Sequence, residues 1–211
     1  MGDEENMRYL LNLITSTSLV TVLNFILVKK SKEVNRRTNW QHYFLGYMFL
    51  LYLLISLTLV VGFPSLHEWI RLVKYNQPIF NPNINLIFLR DGFEISTILN
   101  IIFFIPFGFL LPALWEKYHS LRKTIFSALT FSLIIEFGQL FIKFRATDIN
   151  DLAMNVLGGI LGWIIYKIGG KIFNSLSKKT LVINSNKDNI IFKLEPYLYI
   201  IIALGCTFFS T

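Results

Sequence analysis

Long uninterrupted apolar runs constrain this sequence more than any other feature. Five of them, each close to 20 residues long, cover Tyr9–Val28, Tyr43–Gly62, Thr97–Trp115, Thr124–Ile142 and Leu152–Ile168. A helix of about 20 apolar residues crosses the hydrocarbon core of a bilayer, where every backbone polar group must be satisfied internally. The chain is also only 16% charged, against about 25% in soluble domains. The sequence therefore predicts an all-α, polytopic membrane bundle that forms one transmembrane domain over residues 1–211.

A sixth apolar run, Pro196–Phe209, is shorter than the other five. At about 14 residues it fits either a short spanning helix or an interfacial helix. The predicted bundle therefore has five or six transmembrane helices. We expect the first run to be a retained helix, because no small-residue cleavage site follows it. A single cysteine, Cys206, leaves no intramolecular disulfide to form.

The distribution of Lys and Arg predicts how the helices are oriented. The connections on one side of the predicted membrane carry fourteen of these residues and those on the other side carry six. Cytoplasmic loops hold the excess, so the N-terminus is predicted outside. The 63–96 segment is then an extracytoplasmic loop, with a possible interfacial helix over Pro64–Tyr75. The net charge of +7 lies in loops between apolar runs, so we expect no nucleic-acid partner.

Polar side chains gather in one layer of this predicted topology. Glu136 and Gln139 are three residues apart and share a face of the fourth run, while Asn100 enters the third run from the same side. Four more residues lie at or just before the start of the fifth run: Arg145, Asp148, Asp151 and Asn155. All seven lie within roughly 10 Å of the predicted outer surface.

Two interpretations of this layer remain open. An acid inside a membrane segment costs on the order of 3 kcal/mol and is a functional candidate for that reason. Glu136 could instead be neutral and hydrogen-bonded between helices, and Asp148 and Asp151 could be ordinary helix-start residues. The convergence of several polar residues from three segments favours a ligand-binding site. A separate motif, Gly158 with Gly162, predicts close packing between helices.

Two blocks of sequence resemble the VanZ-like family of bacterial membrane proteins. One is Asn100-Ile-Ile-Phe-Phe-Ile-Pro-Phe-Gly-Phe-Leu-Leu-Pro112. The other is Ile135-Glu-Phe-Gly-Gln139, leading to Arg145-Ala-Thr-Asp-Ile-Asn-Asp151, Asn155, Gly158, Gly159 and Gly162. With a weaker similarity at Asn85-Leu-Ile-Phe-Leu89, where the family usually has a proline after Asn-Leu-Ile, the resemblance defines a core over residues 85–168.

The resemblance implies a multi-pass protein of the bacterial cell membrane. It also implies lowered susceptibility to teicoplanin, a lipid-bearing glycopeptide antibiotic, in Gram-positive bacteria. The expected partners are membrane lipids and either a lipid-bearing glycopeptide or a lipid-linked component of the cell envelope, with no cofactor. The family supplies a resistance phenotype rather than a reaction, so whether the protein is an enzyme stays open.

Two functional hypotheses follow for the polar layer. In the first, the layer binds or shields an amphiphile at the outer leaflet. Asn100, Glu136 and Gln139 then form a buried wall. The rim consists of Arg145, Asp148, Asp151 and Asn155. In the second, the protein is an intramembrane enzyme acting on a lipid-linked envelope component. Glu136 is then the candidate catalytic acid or base, and Asp148 and Asp151 are weak candidates for holding a divalent cation.

Overall fold

The protein is a bundle of helices in the computed structural model, which describes residues 2–33, 39–88, 92, 95–143, 145–172 and 190–210. The predicted all-α class is confirmed. Within the described residues the helices are α1 (Gly2–Glu33), α2 (Trp40–Ile55), α3 (Leu66–Lys74), α4 (Ile95–Leu114), α5 (Leu121–Gln139), α6 (Ile149–Ile172) and α7 (Ile190–Phe208). A π-helical turn, Ser56–Val60, prolongs α2, and a 3₁₀ turn, Glu116–His119, joins α4 to α5. Two short strands, β1 (Ile84–Asn85) and β2 (Thr147–Asp148), complete the fold.

Five helices in the described part of the chain are long and apolar enough to cross a membrane. Their spanning segments are Asn6–Ser31, Trp40–Val60, Ile95–Leu114, Ile149–Gly170 and Ile190–Phe208. Helix α5 is not among them, because it carries the charges of Arg122, Lys123 and Glu136. At 19 residues it is nevertheless about 28 Å long, close to the thickness of the hydrocarbon core. The protein is therefore a multi-helix membrane protein.

The C-terminal helix is longer than the sequence indicates. The apolar run begins at Pro196, but α7 begins at Ile190 and has 19 residues. The charged Lys193 and Glu195 precede the apolar run, yet both lie within the helix. Glu195 is tolerated there because its carboxylate is buried against His42 of α2. Helix α7 thus has the length of a spanning helix rather than of a short interfacial one.

Helices α4 and α6 approach each other through their backbones. A Cβ atom built on Gly158 would overlap the carbonyl oxygen of Ile101, and one built on Gly162 would overlap the carbonyl oxygen of Ile105. On the facing side of α4, a Cβ on Gly108 would overlap the carbonyl of Gly159. The close packing predicted from the glycine spacing is confirmed. It fixes the register of α4 against α6, which carry the candidate site.

The other half of the bundle joins α1, α2 and α7 through side chains. Tyr199 of α7 enters the space left by Gly46 of α2, and its hydroxyl donates to Oδ1 of Asn24 at 3.0 Å. His42 and Glu195 hydrogen-bond at 2.7 Å, and each is only 2% exposed. These contacts hold the first half of α7 against the last third of α1 and the start of α2. The candidate site residues lie on or next to α4, α5 and α6 instead.

The segment between α2 and α4 contains the short helix α3. Gly62 has φ of +65°, a conformation that suits glycine and lets the chain turn. Ser65 caps α3 by accepting the backbone N–H of Glu68 at 3.2 Å. The indole of Trp69 lies against the rings of Phe141 and Phe208. The helical stretch predicted over Pro64–Tyr75 is present, and it packs onto the ends of α5 and α7.

Six of the helices alternate in direction, so the bundle has two distinct ends. The starts of α1, α4 and α6 lie at the same end as the last turns of α2, α5 and α7. Contacts that establish this include a bond from Arg145 to the carbonyl of Val60 and one from Asn100 to Asp151. We call this the site end. The distribution of Lys and Arg predicts that the site end faces outside.

Candidate functional site

A two-stranded parallel pairing organises the site end. Residue Ile84 of β1 pairs with Thr147 of β2, and Asn85 pairs with Asp148. The backbone N–H of Thr147 donates to the carbonyl of Asn83 at 2.8 Å, and that of Asn81 donates to the carbonyl of Leu140 at 2.9 Å. These bonds fasten the loop before α4 across the end of α5 and the start of α6. As a result, Asn85 lies beside residues more than 60 positions later in the chain.

Glu136 is the buried centre of the cluster. Its side chain is 4% exposed, and its Oε2 accepts the backbone N–H of Asp148 at 3.0 Å. The hydroxyl of Thr147 donates to the Glu136 carbonyl at 3.0 Å. The second carboxylate oxygen, Oε1, is buried and has no hydrogen-bond partner among the residues that the structure describes. Buried polar atoms are hydrogen-bonded in most proteins, so this oxygen is a candidate acceptor for a ligand.

Gln139 follows Glu136 by one turn, as predicted. Its side chain is 7% exposed. With the amide oriented so that its nitrogen meets acceptors, that nitrogen donates to the carbonyl of Ala146 at 2.8 Å and to Glu136 Oε2 at 3.2 Å. Two donors therefore converge on one oxygen of Glu136, and the other oxygen has no partner among the described residues. The arrangement fixes the carboxylate in one orientation.

The two aspartates link the neighbouring segments. Asp148 Oδ2 accepts from the Asn85 side-chain amide at 3.0 Å, and Asp148 Oδ1 accepts the backbone N–H of Asn150 at 2.7 Å. The second bond is the local contact of an aspartate at a helix start. Asp151, in the first turn of α6, accepts from the side-chain amide of Asn100 on α4. Both helix-start and inter-segment contacts are thus present at these residues.

Asn155 lies one turn further into the bundle than Asp151 on α6. Its side-chain amide donates to the hydroxyl of Ser132 on α5 at 2.9 Å. Both side chains are buried. The pair closes the floor of the cluster with a neutral hydrogen bond, so the ionisable groups are confined to the layer above it.

Arg145 takes a different position from the other six predicted residues. It is exposed, and its Nη2 donates to the carbonyl oxygen of Val60 at the end of α2 at 3.2 Å. The hydrogen bonds of the other six form three sets. Glu136 bonds Asp148 and Gln139, Asn100 bonds Asp151, and Asn155 bonds Ser132. The Arg145 guanidinium belongs to none of these sets.

Three residues of the cluster were not singled out from the sequence: Asn85, Thr147 and Ser132. Asn85 lies in the weakest of the matching blocks, and its two-residue strand carries no periodic pattern. Thr147 and Ser132 are small hydroxyl residues, common in membrane helices and their connections. Only the pairing of β1 with β2 and the facing of α5 with α6 reveal their part in the cluster.

The margin of the cluster is apolar. Leu86, Ile87 and Phe88 follow Asn85 directly, and each is more than half exposed. Ile98 and Leu99, on the first turn of α4 next to Asn100, are also more than half exposed. A polar cluster thus lies next to apolar surface suited to lipid chains. This neighbourhood fits a molecule with a polar head and an apolar tail.

The chemistry of the cluster is that of hydrogen-bond acceptors. Glu136, Asp148 and Asp151 supply carboxylates, and Asn85 and Asn100 supply amides that already bind two of them. A ligand with hydroxyl, amide or amine donors would suit this set. The described residues contain no group of three or more His, Cys, Asp or Glu side chains that could hold a metal ion.

Comparison with known proteins supplies two matches. The sequence profile of the family described as VanZ/LLP1 matches residues 44–173. Over 130 residues the chain is 32% identical to Protein VanZ of Enterococcus faecium, an alignment that covers 62% of this chain and 78% of that relative. No solved structure matches the chain. The matched range includes α4, α5, α6 and both short strands, and therefore every residue of the cluster.

Proposed function

This chain belongs to the VanZ/LLP1 family, and on that premise we propose that it protects a bacterial host against lipid-bearing glycopeptides such as teicoplanin. It does so by binding an amphiphile at the outer leaflet through the polar cluster. The family as a whole is linked to glycopeptide resistance. The site and the manner of action are the proposal.

The observation that carries the proposal is the open oxygen of Glu136. The carboxylate is held by Asp148 and Gln139 through Oε2, while Oε1 lacks a partner among the described residues. Leaving a buried acceptor without a donor costs roughly 1–3 kcal/mol. A ligand that donates a hydroxyl, amide or amine hydrogen to Oε1 would recover this energy. The prepared acceptor supports binding rather than a purely structural role.

The apolar margin supports an amphiphile as the ligand. The exposed side chains of Leu86, Ile87 and Phe88 adjoin the cluster at Asn85. Each CH₂ of an acyl chain that moves from water into the bilayer contributes about 0.8 kcal/mol, so a molecule with a tail is concentrated where the cluster lies. Teicoplanin bears such a tail and vancomycin lacks one. Protection should therefore be greater against teicoplanin.

The test is a paired measurement in a susceptible Gram-positive host. The inhibitory concentrations of teicoplanin and vancomycin are measured with and without expression of the chain. We expect a larger increase for teicoplanin. The variant Glu136→Leu should lose the increase, because an apolar side chain offers no acceptor.

A matched control is available at the opposite end of the bundle. Glu195 is also a buried acid, and Glu195→Gln keeps a hydrogen-bonding partner for His42. At equal membrane abundance it should leave the teicoplanin increase intact. Equal increases for the two drugs would point to a general change in the cell wall and contradict the lipid-facing mechanism. No increase for either drug would remove the resistance function.

The proposal also needs the site end to face outside. Cysteines introduced at residues 29 to 41 should not react with an impermeant thiol reagent in intact cells, whereas cysteines introduced at Gln77 or Asn83 should react. The opposite pattern would place the cluster on the cytoplasmic side, out of reach of an outer-leaflet ligand.

A second candidate is an intramembrane enzyme with Glu136 as acid or base. The unpartnered Oε1 also favours the enzyme, because a catalytic carboxylate needs an oxygen that can bond its substrate directly or through one water. Here Glu136→Gln decides between the two. An enzyme would lose turnover with this variant, and its lipid-linked substrate would accumulate in the membrane. A binding protein would show no change in the lipid-linked pool, and a chelator would not alter its protection.

A further inference from the structure

A cleft at the site end lies apart from the polar cluster. Its volume is about 560 Å³, and it opens between the first turns of α1, helix α3 and the ends of α5 and α7. Two arginines line it, Arg8 from α1 and Arg71 from α3. The cleft is also lined by Thr207, Ser210 and Phe141.

The charge of the cleft favours an anion. Its described charged lining consists of Arg8, Arg71 and Glu68, with a net charge of one positive unit when His67 is neutral. Glu68 accepts from Arg71 Nε at 2.8 Å and from Nη2 at 2.6 Å. These bonds use two of the five guanidinium N–H groups and hold the side chain in place. Arginine in such a position is well suited to a phosphate group.

An apolar groove continues from the cleft along α1 and α7. Its volume is about 540 Å³, and its apolar lining includes Leu11 and Leu19 from α1, Ile201 from α7 and Phe209, which directly follows α7. Ser210 lines both the cleft and the groove. The groove is open at Gly205, where a Cβ would meet no described atom within 4 Å. A polar cleft and an apolar groove therefore meet at one residue.

The dimensions fit one lipid in one leaflet. From Arg8 to Leu19 the helix rises roughly 16 Å, about half of a hydrocarbon core that is about 30 Å thick. A chain seated in the groove would thus reach the middle of the bilayer while its headgroup remains in the cleft. A free anion would fill the cleft and leave the groove unused.

We propose that the cleft and the groove together bind one anionic glycerophospholipid. The phosphate lies between Arg8 and Arg71, and one acyl chain runs along the groove between α1 and α7. This site shares no residue with the polar cluster and does not depend on its function. Helices α1 and α7 lie outside the range matched by the family, whereas α3 with Arg71 lies within it. The site therefore depends in part on segments that the family match does not cover.

The test uses the full chain purified in detergent and incubated with equal amounts of phosphatidylglycerol and phosphatidylcholine that carry the same acyl chains. Native mass spectrometry then gives the ratio of the two lipids retained. We expect phosphatidylglycerol to be retained in excess. Arg8→Gln and Arg71→Gln should each lower that ratio about fivefold, the effect of removing one basic residue near an anionic lipid.

The matched control is Lys74→Gln. Lys74 lies on α3 near Arg71 and is exposed, but it does not line the cleft. This variant should leave the ratio unchanged. An unchanged ratio in the double variant of Arg8 and Arg71, or an equal fall with Lys74→Gln, would overturn the headgroup site. Displacement of the lipid by glycerol 3-phosphate at low concentration would overturn the role of the acyl chain.

A second pair of variants tests the groove. Gly205→Leu fills open space in it and should lower retention of both lipids. Gly169→Leu places the same side chain at another helical glycine whose Cβ would meet no described atom within 4 Å, and it should leave retention unchanged. Equal retention by Gly205→Leu and the wild type would overturn the proposal. The arginine variants lie at exposed or half-buried positions and test the site even if Gly205→Leu does not fold.

Discussion

The described part of the chain buries two acids, Glu136 and Glu195, and they differ in how they are satisfied. Glu195 is 2% exposed and bonds His42, itself 2% exposed, at 2.7 Å. Glu136 is 4% exposed, but its bonds converge on Oε2 and leave Oε1 without a described partner. We call Glu195 the closed acid, because it bonds a side chain from a neighbouring helix. We call Glu136 the open acid, because one of its buried oxygens has no described partner. Burial alone therefore does not identify a functional acid.

The two halves of the bundle that carry these acids are also built differently. Helices α4 and α6 meet backbone to backbone at Gly158 and Gly162, which leaves no freedom for adjustment. Helices α2 and α7 meet through side chains, by the hydrogen bond of His42 with Glu195 and by the contact of Tyr199 with Gly46. The half that contains the open acid is held together by close backbone packing. Its polar side chains are therefore not needed to hold the helices together. This difference predicts distinct responses to substitution.

The largest effect is expected from breaking the closed pair. His42→Leu leaves the buried carboxyl group of Glu195 without this hydrogen-bond partner, at a cost of about 3 kcal/mol. Thermal or denaturant unfolding in detergent should show this loss. The double variant His42→Leu with Glu195→Leu should recover most of it, because replacing both hydrogen-bonding partners by apolar groups of similar shape can be nearly neutral. A loss below about 1 kcal/mol, typical of exposed pairs, would break the comparison.

A smaller effect is expected at the glycine contact. In Gly162→Ala the new Cβ would overlap the Ile105 carbonyl, so α4 must shift, at a cost of about 1–3 kcal/mol. Gly170→Ala adds the same methyl where no described atom lies within 4 Å of it, and it should be neutral or stabilising. The same unfolding measurement applies. Equal stability of the two variants would show that α4 and α6 are not held by this contact.

The open acid should matter less for stability than for function. Glu136→Gln keeps an acceptor for the Asp148 N–H, so the free energy of unfolding should change by less than about 1.5 kcal/mol, the net value of one hydrogen bond. The protection against teicoplanin should change more, because Gln cannot ionise and, with its oxygen bonded to the Asp148 N–H, places a donor NH₂ group where Oε1 offers an acceptor. Loss of stability comparable to that of His42→Leu would make Glu136 a structural acid like Glu195.

The difference between the two acids could be predicted only in part. Run length and the spacing of Glu136 and Gln139 predict the helices and a shared polar face, because helical geometry relates neighbours along the chain. The bond from Asn85 to Asp148 depends on strands of two residues, which leave no pattern in a sequence. The partner of Glu195 is 153 positions earlier in the chain. Glu195 also lies just before the apolar run that begins at Pro196, so hydropathy alone does not place it within the helix. Contacts between distant segments require the fold itself.

The smallest effect concerns Lys117, in the 3₁₀ turn close to the closed acid. Its Nζ donates to the carbonyl of Lys193 at 3.2 Å and lies 4.1 Å from the ring centre of Tyr197. Burial, and next the repulsion from Lys123, lowers the pKa of Lys117 from 10.5 to about 8. Between these two values the unfolded chain binds more protons at this site than the folded protein does.

Stability should therefore rise with pH through this window relative to a variant without the amine. The measurement is the difference in melting temperature between the wild type and Lys117→Met from pH 7.5 to 10, in which other titrating groups cancel. The Lys117 side chain is partly exposed and so partly screened by solvent. The rise should therefore be modest. Lys123→Gln removes one source of the lowered pKa and should move the rise to higher pH. A difference that falls with pH would mean that the folded protein stabilises the charged amine, through the Lys193 carbonyl, the Tyr197 ring and nearby Glu195, more than burial disfavours it. In that case Glu195 would interact favourably with the Lys117 ammonium group as well as with His42, and His42 would not be the sole partner that stabilises this acid.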